Sequence, residues 1–373
     1  MRICHITINP IDYERRIINQ AFTGKNLGYH VWIFALGKPE DKSIERVKLY
    51  ILRRIKTIFH TGGPLKFFIY NIKLFFHLLK KPFDLIHCHD LWVLPAATLA
   101  VKLNKSVLIY DAHEYYAGLE IFTHAKMRRR IWLLLERICI PYVDTLITVS
   151  PELGELYRRR YKTLKHIQII LNVPQFESIN HIQAQNNLKR GEDIVIVFHG
   201  HFKPGRGLEN LIQAIKIVPR VKLLLIGGGE LDKKLRMMVN REGLQNRIIF
   251  RNYVPIQLLI STSAQADIGA VLFEPTSINY KYALPNKFFE YLLAGLPILA
   301  SNIDTLHYYI NKYEVGITVN PGSVDSIAQG IVKMISNHAQ FQRWKENARL
   351  AVNELNWGNE ERKLINLYET LQI

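Results

Sequence analysis

Lys287 and Glu290 stand three residues apart inside residues 284–301, a stretch that opens on Leu-Pro-Asn and runs through Ala-Gly-Leu-Pro into an apolar strand. The pattern predicts a helix that begins near Asn286, with Pro285 just ahead of it. Amide N–H groups at a helix start lack partners and carry the positive end of the dipole, so they attract phosphate. Lys287 adds a full charge there, and Glu290, one turn further in, can accept hydrogen bonds from sugar hydroxyls. Phosphate at one end and sugar at the other is the requirement of a nucleotide-sugar site.

A second constellation supplies another cation. Gly200, Gly205 and Gly207 surround Arg206 where a strand gives way to a helix, with His201 and Lys203 nearby. Glycine lets the backbone approach a ligand and take positive φ. The planar fork of an arginine matches a diphosphate. Arg206 and Lys287 are therefore the expected pair on a departing diphosphate. A third glycine cluster, Gly227, Gly228 and Gly229, follows a strand and precedes Glu230. In the first half, His113 ends a strand in Asp-Ala-His-Glu, and His87 and His89 alternate before Asp90. The two alternating histidines share a strand face. Zinc is conceivable there, but two histidines without further spaced ligands are weak evidence for it.

These side chains need scaffolds, and the chain has length for two. At 373 residues it exceeds a typical single core. Apolar residues make up 48%, with mean hydropathy near zero, as in a soluble globular protein. Strand-like runs at 2–8, 30–35, 85–88, 106–111 and 145–149 alternate with helical patterns such as 14–27 and 95–103. That alternation predicts a parallel, doubly wound sheet whose ligands bind beyond the strand carboxyl ends. A second alternation begins at 193. Its expected strands are 193–198, 222–226, 248–250, 267–272, 297–300 and 316–319, and its expected helices are 208–217, 231–242, 256–264, 286–294 and 324–336. The predicted division is a first domain at 1–174, a linker at 175–192 rich in Asn and Gln, and a second domain at 193–357. A final helix, about 358–373, is expected to return to the first domain.

Net charge is +17. Residues 46–81 hold nine lysines and arginines and no acid, with Tyr50, Phe59, Phe67, Phe68, Tyr70, Phe75 and Phe76 interleaved. Basic and apolar groups mixed in this way suit an interfacial helix on anionic lipid, each cation contributing about 1 kcal/mol near such a surface. No zinc-finger spacing or RNA-binding aromatic motif points to nucleic acid. Cys4, Cys88 and Cys139 are scattered and odd in number, which fits a reducing compartment. No signal peptide and no apolar run long enough to span a bilayer is read, so a cytoplasmic protein at the inner face of the membrane is expected.

Taken in order, the Gly200–Gly207 turn, the Leu-Ile-Gly-Gly-Gly-Glu segment at 225–230, the 284–301 stretch, Leu-Ile-His-Cys-His-Asp at 85–90 and Ile-Tyr-Asp-Ala-His-Glu at 109–114 resemble a family 4 glycosyltransferase of the GT-B fold. The likeness implies two Rossmann-like α/β domains facing a central cleft, transfer with retained configuration, and no metal or other cofactor. It implies that Glu290 holds a ribose, that the segment with Tyr253 and Val254 reads the base of a UDP or GDP sugar, and that His113 lies near the reacting carbon. Asp90, Glu114, Arg15 and Arg16 are then acceptor-side candidates, and Asn279 a donor-side one. The family pattern has a glutamate where this chain has Tyr282, and Glu274 is the neighbouring acid that would substitute. The expected acceptor is a glycan or lipid-linked saccharide in bacterial surface polysaccharide assembly. A nucleotide-sugar 2-epimerase and a degenerate binding protein share the fold and stand as alternatives.

Overall fold

A computed structural model describes the chain except residues 12–13, 39–40, 48–49, 57–63, 120–124, 175–192 and 372–373. The expected linker, 175–192, thus lies outside the described residues, as do parts of the basic segment. Two compact units emerge, Met1–Gln175 joined by Trp357–Ile373, and Phe176–Asn356.

In the first unit the strands are β1 (Arg2–Ile6), β2 (His30–Gly37), β3 (Ile44–Arg46), β4 (Ile51–Lys56), β5 (Leu85–His89), β6 (Val107–Ala112), β7 (Thr145–Thr148) and β8 (His166–Ile169). They form one sheet in the order β3-β4-β2-β1-β5-β6-β7-β8, parallel except for β3. Its helices are α1 (Arg15–Asn26), α2 (Pro64–Leu79), α3 (Leu94–Asn104), α4 (Lys126–Cys139) and α5 (Pro151–Arg160). Strand order reverses between β1 and β5, which makes the carboxyl ends of those two strands a switch point where a crevice opens.

Parallel register decides which polar groups meet. His5 on β1 pairs with His87 on β5, and His89 pairs with Asp111 on β6. Alternation puts these four on one face, continuing a row that begins with Ile3, Leu85 and Ile109. That apolar row, with Ile147 and Ile170, is covered by Trp357, Leu364 and Tyr368 of the chain's last helix. This helix also accepts the Leu171 amide on Glu360 at 2.8 Å and the Thr23 hydroxyl on Glu361 at 2.8 Å. The expected return of the last helix thus has its physical reason: the first sheet needs it to close its core.

In the second unit the elements are β9 (Ile194–His201), α6 (Leu208–Ile217), β10 (Val221–Gly228), α7 (Asp232–Arg241), β11 (Ile248–Arg251), α8 (Ile256–Ser263), β12 (Ile268–Val271), α9 (Ile278–Lys281), α10 (Asn286–Leu293), β13 (Ile298–Ser301), α11 (Asp304–Tyr313), β14 (Gly316–Val319), α12 (Val324–Ser336) and α13 (His338–Ala351); the last helix of the chain is α14 (Trp357–Thr370). The sheet is wholly parallel, ordered β11-β10-β9-β12-β13-β14, with its switch point between β9 and β12. Its strands are nearly continuous apolar runs because both faces are covered, as parallel sheets require. Sequence periodicity places most of these elements within a few residues. It omits β3, β4, α9 and α11.

Candidate functional site

The second unit gathers its candidate residues at the carboxyl ends of β9, β10 and β12. The turn after β9 needs its glycines. Gly205 has φ +75°, and a Cβ there would lie 2.6 Å from the Tyr280 ring. Gly227 has φ +141°, and its Cβ would meet the Gly200 carbonyl oxygen at 2.0 Å. Arg206, between two such glycines, lays its guanidinium over Phe273 at 4.4 Å and Tyr280 at 5.5 Å. Lys203 sits over the same Tyr280 ring at 5.4 Å.

Lys287, in the first turn of α10, comes to this place from the other side. Its ammonium lies 3.6 Å from the Phe198 ring centroid and 5.8 Å from that of Phe273. Both cations therefore share the Phe273 ring. Lys287 is 6% exposed, and neither its Nζ nor the buried Nε of Arg206 has a hydrogen-bond partner among the described residues. Burial, then the neighbouring Arg206, push the lysine well below its ordinary pKa, against a smaller pull from Glu290. No side chain caps α10, whose N-cap is Pro285, and Asn286 at the same end is exposed.

Glu290 is buried and fixed. His199 Nε2 lies 2.7 Å from its Oε2, and His199 Nδ1 lies 3.2 Å from Ser263 Oγ. The carboxylate only accepts, so Nε2 carries the proton and Nδ1 accepts from the serine. Burial lowers the histidine's pKa more than Glu290 raises it, which keeps the ring neutral-leaning. The ring also packs against Tyr291, whose hydroxyl accepts the His199 amide at 3.1 Å. His199 is a neighbour of Glu290 that spacing did not reveal. Its signal was a lone histidine at the end of an apolar strand, directly before Gly200.

Other donor-side candidates fall into a second group. Tyr253 donates its hydroxyl to the Gly228 carbonyl at 2.8 Å and receives His201 Nδ1 at 3.0 Å. Val254 follows, half-buried. Asn279 lies half-buried in α9, and Tyr282 ends that helix. The Glu274 amide donates to the Gly205 carbonyl at 3.0 Å, which brings that acid to the glycine turn. Burial, helped by Glu209, raises the Glu274 pKa.

The first unit has its own cluster, at the carboxyl ends of β1, β5 and β6. Asp90 has φ +81°, a strained backbone for a non-glycine residue. Its Oδ1 lies 3.2 Å from His113 Nε2 and also accepts the Tyr116 hydroxyl. Its Oδ2 accepts Asn9 Nδ2 at 3.3 Å, and Asn9 donates in turn to Glu14 at 2.9 Å. Burial opposes a charged His113, but Asp90, Asp111 and Glu114 outweigh it and raise the imidazole's pKa. Glu14 is raised by burial and by Asp90. His113 keeps about a quarter of its side chain exposed, enough to meet a ligand. Glu114 and Arg15 are exposed.

Arg16 is occupied inside the unit. It makes a bidentate pair with Asp111 at 2.8 and 3.1 Å and donates to the carbonyls of Ile170 and Leu171. Gln20 adds a third bond to Asp111 at 2.8 Å. Burial works to raise Asp111, but Arg16 and the neighbouring histidines hold it well below the usual carboxylate range. His5 joins His87 and His89 to give three ligand atoms within 4.8 Å of one another. The rings stack face to face, with interplanar angles of 15–30°. A metal needs lone pairs that converge on one point, which stacked rings do not provide. His5 Nδ1 instead pairs with His89 Nε2 at 3.0 Å, and His87 Nδ1 pairs with the Tyr368 hydroxyl at 3.0 Å.

Two family descriptions match successive parts of the chain, Glycosyltransferase Family 4 over residues 14–173 and Glycosyl transferases group 1 over residues 180–351. The chain belongs to the family 4 glycosyltransferases. It is an enzyme of the GT-B fold, and membership implies a nucleotide-sugar donor and retained anomeric configuration. An uncharacterized glycosyltransferase of Methanocaldococcus jannaschii is 23% identical over 92% of this chain and 90% of its own length. The phosphatidyl-myo-inositol mannosyltransferase of Mycobacterium leprae is 24% identical over 47% of this chain and 46% of its own. Among solved structures, Anabaena HepE in complex with UDP-glucose superposes with a TM-score of 0.74 at 18% identity, over 99% of this glycosyltransferase and all of HepE.

Proposed function

We propose that this glycosyltransferase moves a sugar from a UDP or GDP sugar to a hydroxyl of a lipid-linked saccharide, at the inner face of a bacterial membrane. The observation that carries the donor half is the pair of cations, Arg206 and Lys287, at one aromatic ring, with Lys287 Nζ and Arg206 Nε lacking a hydrogen-bond partner among the described residues. A diphosphate is the anion of matching charge. It would also receive the open amides of α10. Glu290, oriented by His199, takes the ribose hydroxyls, and the group around Gly228, His201, Tyr253 and Val254 lies by the base. The HepE complex with UDP-glucose supports a donor of this class on this fold.

On this reading the side chains balance the departing charge. The bond from the anomeric carbon to the diphosphate oxygen breaks, and the acceptor oxygen bonds to the same face. The acceptor's proton passes to the departing phosphate oxygen. His113, held by Asp90, positions a sugar hydroxyl and is not the base.

The acceptor half rests on surface chemistry. The described residues 64–81 keep Lys80 and Lys81 exposed beside Phe68 and Phe76, and α4 adds exposed Lys126, Arg128, Arg129 and Arg130. No described helix is long and apolar enough to cross a membrane, so contact would be peripheral. The Mycobacterium leprae relative, named for a phosphatidylinositol acceptor, supports a lipid.

A thermal-shift screen of nucleotide sugars tests the donor half. A true donor at a hundredfold excess over Kd stabilises by about 2.7 kcal/mol. The expected result is a shift with one UDP or GDP sugar that Arg206→Ala and Lys287→Ala remove. A flat screen would refute the reading. Flotation with anionic liposomes tests the membrane half, with salt-sensitive binding expected to weaken when Lys66, Lys73, Lys80 and Lys81 are neutralised.

A further inference from the structure

On the face of the first sheet opposite α14, three helices leave a groove of about 650 Å³. Phe67, Ile72 and Phe75 of α2, Ala96 and Leu99 of α3, and Trp132 of α4 line it. Its walls are apolar except for Asn71 and Arg128. Asn71 is already engaged with the carbonyls of Phe67 and Trp92.

The groove does not stand alone. Leu65, Phe68, Ile72 and Phe76 make one exposed stripe on α2 at helical spacing, and Met127, Ile131, Leu134 and Ile138 make another on α4. Leu99 and Leu103 of α3 are also more than half exposed. Exposed apolar surface of this extent marks an interaction site. Its rim has one sign of charge. The three helices carry a single acid, Glu136, and it is buried against Tyr110, Tyr157 and Tyr161.

The floor leads directly to the polar cluster. Trp92 packs at 4.5 Å on Trp132 and at 5.2 Å on Phe67 inside the groove. On its other side Trp92 meets Tyr116 at 5.7 Å, and Tyr116 bonds Asp90 and lies 6.1 Å from His113. One run of packed aromatic rings therefore joins an apolar trough with a basic rim to the Asp90–His113 cluster.

We infer that this groove binds the hydrocarbon chain of the acceptor, an amphiphile whose phosphate lies at Arg128 and whose saccharide reaches Asp90 and His113. The inference rests on the lipid-linked acceptor proposed above and adds its place. A flat membrane contact would use the exposed stripes and would not require a trough whose aromatic floor packs against the polar cluster.

The test uses the full chain and single-chain alkyl phosphates from eight to sixteen carbons, kept below micelle formation, with tryptophan fluorescence as the readout and inorganic phosphate as control. Burying a methylene is worth about 0.8 kcal/mol, so two more carbons tighten binding roughly tenfold until the groove is full. The expected result is that gain followed by a plateau, no response to inorganic phosphate, and at least tenfold weaker binding in Ile72→Trp, which fills the trough from a partly exposed position. Arg128→Glu is expected to weaken every chain length by a constant factor. Melting curves confirm that each variant is folded, and Leu99→Trp replaces Ile72→Trp if that variant is not. Affinity that climbs without a plateau, or that is unchanged in the filled variant, overturns the groove. So does binding to anionic vesicles alone. Because no donor is present, a flat nucleotide-sugar screen would sink the transferase reading without touching this result.

Discussion

Asp111 and Lys287 are both buried charges, yet the first is surrounded by partners and the second by aromatic carbon. Asp111 receives three hydrogen bonds from Arg16 and Gln20, with two histidine nitrogens 3.6 and 3.8 Å away. Lys287 has the Phe198 face and no hydrogen-bond partner among the described residues. A buried charge with its partners in place is part of the scaffold. One held without them costs free energy that only a ligand of opposite sign recovers. The contrast separates two groups that both look like chemistry in the sequence.

The largest effect that would sharpen this contrast is on folding. Arg16→Ala leaves Asp111 buried and unpaired, and we expect a loss of about 3–5 kcal/mol in urea denaturation. Replacing both partners together, Arg16→Met with Asp111→Leu, should cost far less, because no charge is then stranded. If the double variant is as unstable as the single one, the pair is not the hub described here.

At Lys287 the same logic gives the opposite sign. Lys287→Met removes a stranded charge, so stability should hold or rise. With the role proposed for Lys287 at the leaving diphosphate, its loss should lower kcat by about 100- to 1000-fold. Denaturation and turnover measured on one preparation check both halves. A variant that is inactive and unfolded would break the comparison. A further sign distinguishes the lysine: binding an anion must raise its depressed pKa, so at a pH near the free lysine's own midpoint diphosphate binding should take up protons. Calorimetry in buffers of different ionisation enthalpy reads that uptake.

The two sites also differed in how far the sequence disclosed them. Gly205, Arg206 and Gly207 are contiguous, and Lys287 and Glu290 share one helix turn, so local spacing disclosed each group, while the meeting of Arg206 with Lys287 at the Phe273 ring is a matter of the fold. Asp111 and Arg16 are 95 residues apart and meet only through strand register. Spacing presents Arg15 and Arg16 as a pair and cannot say that one is exposed and the other turned inward. His5 joins His87 for the same reason, through the pairing of β1 with β5. Helix α11 was illegible because its N-cap, Ile303, carries no capping side chain. β4 was hidden because its burial does not alternate, and Arg53 and Arg54 read as part of a basic run. The groove had half of its signal in the sequence, the aromatic residues of α2, but Trp92 and Trp132 come from elsewhere in the chain.

The smallest expected effect lies at His113, and it decides whether the acceptor-side cluster behaves as a scaffold or as a site. Its pKa is raised despite burial because Asp90 lies 3.2 Å away, with Asp111 and Glu114 beyond. For a raised histidine the stabilisation is complete below the unfolded value of about 6.5 and is lost as pH rises through the folded value. The ring should therefore titrate above about 6.5 in an NMR experiment. Asp90→Asn should bring that midpoint down, and the isosteric asparagine meets the same backbone strain that Asp90 already bears. If Asp90 were only structural, binding of an acceptor hydroxyl would leave the His113 titration where it was. A site must respond, because a neutral hydroxyl placed between the ring and the carboxylate displaces part of the pair and moves the midpoint back toward the ordinary value. A titration that is indifferent to acceptor would assign Asp90 and His113 to the scaffold, beside Arg16 and Asp111.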